Sequence, residues 1–209
     1  MAGGEPQRHS EAASGYAGDR ERLIAAVTKA VAEHGYSTLT VDQVLRYAGV
    51  SRAIFDSHFE SKEQSLVAAQ DAFLQRLWLD VIHACEAPPD WPRKVRAALE
   101  AILTSLAEAS ALARAFTVEA AANLAAAERQ YAAFEEFATL LRDGRRHYPD
   151  AASLPEATER ALVGGIASIV SGHLLMEDPR AISVLHSQLV ELLLIPYVGE
   201  EEARRVAAA

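Results

Sequence analysis

The stretch "AGVSRAIFDSHFESK", residues 48–62, decides the fold. It reads as the end of one helix, a tight turn, a short second helix and the start of a third. Gly49 follows the small residue Ala48 at the position where a left-handed C-cap favours glycine. Ser51 is an N-cap residue, with Val50 and Phe55 at hydrophobic-staple positions. Phe55 and Phe59 are four apart, share one helix face and are expected to point inward. Ser61 and Gln64 form a capping box for the next helix.

The same rules extend in both directions. Thr40 and Gln43 form a T-x-x-Q capping box, Leu39 can staple onto Val44, and Val41, Val44, Leu45 and Ala48 make the inner face of a short helix. A first helix is expected over roughly Asp19 to His34, with Leu23, Val27 and Val31 at four-residue steps and Gly35 just past its end. Downstream, Leu66, Phe73, Leu77 and Val81 form one row of a long helix reaching about Cys85, before Pro88-Pro89. Further helical patterns lie around Val95 to Leu106, Ser110 to Val118, Leu124 to Leu141, Glu156 to Glu177 and Ala181 to Val198. "RRHYPDAASLP" (145–155) reads as a loop, and "EEARRVAAA" as a short last helix. Alternating strand-like runs are absent, so the fold class is all-α, with about nine or ten helices. Residues 1–18 carry no apolar leader pattern and are expected to be a disordered tail, 19–65 a helix–turn–helix module, and 66–209 a larger helical body.

Composition narrows the function. Half of the 209 residues are hydrophobic and 23% are charged, an ordinary globular balance. The single cysteine, Cys85, excludes an internal disulfide and a Cys-rich zinc site, and it fits a reducing, cytoplasmic setting. The longest uncharged apolar stretch, Ala161 to Met176, holds three glycines, two serines and a histidine and is too short and polar for a membrane span. The net charge of −9 divides into −1 over residues 1–16, −1 over 17–66 and −7 over 67–209. A near-neutral module thus precedes an acidic body, which permits nucleic-acid contact through the module. Nucleotide, nucleophile-elbow and zincin motifs are absent, and none of the seven histidines has Glu three residues before it. His83-x-Cys85 with Asp80 is better explained as polar positions late on a helix than as a metal cluster. No catalytic residue, metal or cofactor is expected.

Two short capped helices separated by about three residues are the pattern of a helix–turn–helix, whose second helix enters the DNA major groove. With Val44, Leu45, Phe55 and Phe59 turned inward, Arg52, Ala53, Asp56 and Ser57 face outward, with Ile54 and His58 at the edges. Arg52 sits in the first turn, where arginine can pair with guanine O6 and N7, and Ile54 could meet a thymine methyl. Thr40, His58 and Lys62 could contact phosphates. Such hairpins also occur in protein-interaction modules and in cores, and spacing alone does not choose between them.

Residues 20–66 resemble the N-terminal domain of the TetR (tetracycline-repressor) family of bacterial regulators. The matching elements, in order, are Glu-x-Gly-Tyr, Thr-Leu-Thr-Val, Ala-Gly-Val-Ser and Phe-x-x-His-Phe-x-Ser-Lys-Glu. The resemblance implies a recognition helix from Ser51 to Phe59, with Arg52, Ala53 and Ile54 facing bases and His58 and Lys62 on the DNA backbone. Two positions depart from the family. Ile54 stands where threonine is frequent. Asp56 stands where a tyrosine usually places its hydroxyl on a phosphate. Being four residues after Arg52, Asp56 is expected to brace that side chain.

In the body the resemblance implies a ligand pocket and a dimer-forming helix pair. Candidate pocket residues for an unknown small molecule are Trp78, Phe116, Asn123, Tyr131, Phe134 and His173. Gly164, Ser168 and Gly172 make a smooth stripe for a second copy, with Gly165, Leu162, Ile166, Ile169 and Met176 around it. Val184, Leu185, Leu189 and Leu192 are the counterparts on the last long helix. The reading is a homodimeric regulator, a repressor released from a palindromic operator when ligand shifts the linking helix. The other reading is a helical small-molecule sensor that acts through protein contacts with little DNA affinity.

Overall fold

The computed structural model describes residues 5–122, 124–176 and 184–209. It divides into two compact units, Met1–Phe73 and Leu74–Ala209. Every long element is a helix, and no strand occurs among the described residues.

In the first unit α1 (Glu5–His34) packs on α2 (Val41–Ala48) and α3 (Arg52–His58), and α4 (Lys62–Ala84) begins. Leu23, Val27, Val31 and Val44 are fully buried and Phe55, Phe59 and Leu66 nearly so. The two phenylalanine rings lie 5.6 Å apart. With eight and seven residues, α2 and α3 are too short to persist alone. Their buried face holds them, at about 1.5–3 kcal/mol for each large apolar side chain.

Caps fix their ends. Gln43 N donates to Thr40 Oγ1 at 3.3 Å, while Gln43 Oε1 accepts from the Thr40 amide at 2.7 Å. Gly49 ends α2 at φ 66, ψ 35, and its N–H donates to Leu45 O at 2.9 Å. A side chain is strained in that left-handed conformation, so glycine makes the tight turn possible. Ser51 Oγ accepts from the Ile54 amide, and Ser61 Oγ from the Gln64 amide at 3.1 Å. In the latter cap Gln64 Oε1 accepts from the amide of Glu60, one residue earlier than a standard box.

One boundary is corrected. The first helix does not begin near Asp19 but runs from Glu5, so residues 5–18, expected as a disordered tail, are helical. The core row Leu23–Val27 continues backward at helical spacing through Arg20 and Tyr16, and both find partners at the far end of α3.

The second unit holds the later turns of α4, then α5 (Trp91–Glu108), α6 (Ser110–Ala122), α7 (Leu124–Arg142), α8 (Gly144–His147), a 3-10 turn (Pro149–Ser153), α9 (Thr158–Met176) and α10 (His186–Ala207). Asp90 caps α5 by accepting from the Arg93 amide at 3.0 Å. Trp91, Val95, Leu99 and Leu103, at four-residue steps, share one core with Val190, Leu193, Leu194 and Tyr197 of α10. The expected last long helix and short terminal helix form one element, bent at Gly199 and carrying Pro196. Residues 181–183, at its expected start, lie outside the described residues.

The 145–155 segment is not a plain loop. It contains α8 and the 3-10 turn, and Arg145 ties it down. Arg145 Nε and Nη2 donate to Glu159 Oε1 and Oε2 at 2.7 and 3.0 Å, and its Nη1 and Nη2 donate to Leu154 O and Pro155 O at 2.8 Å each. Tyr197 Oη donates to Glu159 Oε1 at 2.9 Å. Glu159, fully buried, thereby joins α8, α9 and α10. At the same corner a Cβ on Gly144 would meet the Trp91 ring at 2.4 Å, so only glycine lets the chain pass. Trp91 is itself buried against Tyr148 and Tyr197, with ring centroids 5.9 and 4.7 Å away.

Candidate nucleic-acid interface

The outward face of α3 carries Arg52, Ala53, Asp56 and Ser57, all exposed, with Ile54 and His58 half-buried at its edges. Ser51 sits at the N-cap, its Oγ engaged by Ile54 N. Arg52 Nε donates to Asp56 Oδ1 at 2.9 Å. Both side chains are more than half exposed (61% and 54%), so the pair adds little to stability. The bond sets the Nε edge of the guanidinium against the carboxylate.

The expected phosphate contacts have local roles of their own. The Thr40 hydroxyl accepts from Gln43 N and donates to Gln43 Oε1 at 3.2 Å, so it serves the cap of α2. Lys62 opens α4 with its ammonium 4.7 Å from the centre of the Tyr36 ring. Ser57 Oγ bonds back to Ile54 O at 2.7 Å. His58 stacks on Tyr16 with ring centroids 3.9 Å apart, and its Nδ1 is buried with no hydrogen-bond partner among the described residues. Tyr16 Oη donates to Ser57 O at 3.0 Å, and the Arg20 guanidinium lies 5.7 Å from the centre of the Phe59 ring. The sequence reading missed Tyr16 and Arg20. Extending the Leu23–Val27 row backward by helical steps finds both.

Residues 23–69 match the tetR family of bacterial regulatory proteins. The N-terminal unit belongs to the TetR family. Two curated relatives agree. The HTH-type transcriptional regulator BetI of Rhizobium meliloti is 34% identical over 68 residues, which is 32% of this chain and 34% of that protein. The HTH-type transcriptional regulator EthR of Mycolicibacterium smegmatis is 33% identical over 101 residues, 47% of this chain and 46% of that one. The chain thus spans less than half the length of either. The fatty acid degradation regulator FadR of Bacillus halodurans shares the fold at a TM-score of 0.72 and 20% identity, covering 84% of this chain and 94% of its own.

Beyond the TetR-family domain, the pocket candidates are dispersed in burial. Phe116 is buried, Phe134 packs against the core, and His173 is half-buried with Nδ1 3.0 Å from Ile169 O. Trp78 is half-buried and meets Phe137, not a candidate, at 5.6 Å. Tyr131 is 59% exposed. Asn123 lies outside the described residues. No group of three His, Cys, Asp or Glu able to hold a metal occurs among the described residues, and no single described helix is long and apolar enough to cross a membrane.

The dimer candidates divide by face. Gly164, Gly165, Ser168, Ile169 and Gly172 of α9 are exposed, as are Val184 and Leu192 near and on α10. Leu162, Ile166 and Leu185 are half-buried against the core. Leu189 is corrected: it is 3% exposed and packed in the chain's own core, with no area left for a partner. The side chain of Met176 is not among those described.

Proposed function

We propose that the chain is a sequence-specific DNA-binding transcriptional regulator of the bacterial cytoplasm. In this reading it is a repressor that acts as a homodimer on a palindromic operator and is released by a small molecule bound in its helical body. The observation that carries the reading is the outward face of α3: a capped short helix, anchored by Phe55 and Phe59, that aims an exposed arginine from its first turn. Arg52 and Ile54 read base edges in the major groove. Ala53 faces the bases beside them, Thr40, His58 and Lys62 meet the DNA backbone, and Ser51 and Ser57 complete the face. The BetI and EthR likenesses support the same reading.

Selection of bound sequences from random duplex DNA at low salt tests it. An enriched palindrome is expected, with affinity falling steeply as salt rises in proportion to the phosphates contacted. Binding without sequence preference, or none, would leave the sensor that acts through protein contacts as the better reading. Sedimentation at micromolar concentration should give a dimer built on the exposed α9–α10 face, and a monomer would remove that part of the proposal.

Asp56 is the residue that sets this head apart. With Asp56 bracing Arg52, Asp56→Ala should reduce the ratio of selected-site to random-DNA affinity by about threefold, the worth of one exposed ion pair. Uniformly tighter binding to all DNA would mean instead that Asp56 only repels phosphate.

A further inference from the structure

The last turn of a helix leaves carbonyls without intrahelical partners. At the end of α3, Ile54 O is taken by the Ser57 hydroxyl and Phe55 O by the amide of Phe59. Ser57 O is taken from outside, by the Tyr16 hydroxyl at 3.0 Å. The bond spans forty-one positions and joins the early turns of α1 to the helix that reads DNA.

The Tyr16 ring does a second thing. It lies 3.9 Å from the His58 ring, tilted by 37°, and His58 also neighbours Phe59 at 6.3 Å. His58 Nδ1 is enclosed without a hydrogen-bond partner among the described residues, and the Tyr16 ring lies against the imidazole. One turn later on the same stripe of α1, Arg20 lies over Phe59. Tyr16 is 51% exposed, so it is not a core residue whose loss would collapse the unit.

We propose that Tyr16 is a positioning residue of the reading head: it caps the C-terminal end of α3 and orients His58, so that Nε2 is the nitrogen offered to the DNA backbone. This rests on the DNA-reading proposal above. Tyr16 acts through His58 and the carbonyl of Ser57, and its own hydroxyl proton is already committed. Residues ahead of the expected helix start thus take part in setting how α3 meets DNA.

The test uses the full chain and the DNA site selected by the wild type, with random duplex as competitor. Tyr16→Phe keeps the ring and should weaken selected-site binding about threefold, the net worth of one hydrogen bond. Tyr16→Ala should weaken it about tenfold and lower random-DNA affinity as well, because a backbone contact carries no sequence information, with the thermal midpoint nearly unchanged. In a His58→Ala background the ring's share of the Tyr16→Ala effect should vanish, because two residues acting as one unit are not additive. Wild-type affinity in Tyr16→Ala, full additivity with His58→Ala, or a loss accompanied by a lowered midpoint would overturn this inference alone. A wild-type chain that selects no sequence would overturn the DNA-reading proposal, and this inference with it.

Discussion

Replacing Glu159 by alanine is expected to cost about 3 kcal/mol and to lower the thermal midpoint by roughly 6–12 °C at this chain length. The Glu159 carboxylate is fully buried and is the shared acceptor for Arg145 and Tyr197. Removing it strands a guanidinium and a buried phenol and loosens the corner between α7 and α9. The figure is taken from the low end of the range for broken buried pairs because Arg145 keeps 19% of its side chain exposed and can partly rehydrate. Far-UV circular dichroism melts give the answer. A double variant, Arg145→Met with Glu159→Leu, should recover part of the loss, because it removes both charges and refills the space. A midpoint within 2 °C of wild type in Glu159→Ala would show that the pair contributes nothing net.

The same group gives a pH signature. Burial by itself would raise the Glu159 carboxyl, but it is outweighed by bonds from Arg145, the backbone and Tyr197, so the carboxyl lies below its ordinary range. The native state therefore favours the ionised form. That stabilisation is complete above the unfolded carboxylate value of about 4.3 and is lost as pH falls through the lower folded value. Tyr197 is pushed up, first by burial and then by its bond to Glu159. Its share is complete below the unfolded phenol value of about 10 and is lost as pH rises beyond it. Glu159→Ala should flatten the acid limb of the stability profile.

Arg52→Ala is expected to have the largest effect on function. One arginine–guanine pair is worth about 1–3 kcal/mol of discrimination, or fivefold to more than a hundredfold for each reading head. A dimer on a palindrome loses it twice. Selected-site affinity should fall close to the random-DNA level while the fold is intact, since Arg52 makes only the exposed pair with Asp56. Fluorescence anisotropy on both DNAs at one salt concentration measures it. Arg52→Lys should not rescue, because an ammonium cannot make the two-pronged contact. A variant that keeps its site preference would move base reading away from the first turn of α3.

What the sequence disclosed about these features follows from distance along the chain. The Thr40, Ser51 and Ser61 caps, the Gly49 turn and the Arg52–Asp56 pair all operate within four residues, where helix geometry is fixed, and local rules find them. Tyr16 bonds to Ser57 across forty-one positions, and Gly15 and Gly18 around it weaken the local helical signal. Arg145 and Glu159 are fourteen apart, and the intervening Tyr-Pro-Asp sequence reads as loop, which hides a packed corner. Leu189 has the spacing of an interface residue yet lies in the core, because α10 is apolar on two sides. A hydrophobic pattern marks both faces alike and does not say which one the chain's own α5 covers. The pocket candidates share the difficulty: an aromatic on an inner helix face has the same spacing whether it packs a core or lines a cavity.

The setting of Trp91 has an optical consequence. Both tryptophans, Trp78 and Trp91, fall within Leu74–Ala209, while the fluorescent rings of the other unit are tyrosine and phenylalanine. Emission excited beyond the tyrosine band therefore monitors the C-terminal unit alone, with Trp91 reporting the Gly144 corner and its loss of shelter beside Tyr148 and Tyr197. Melting of the N-terminal unit would be dark in that channel and visible only as lost helicity. Overlaying the two signals during denaturation tells directly whether the halves come apart together or in succession.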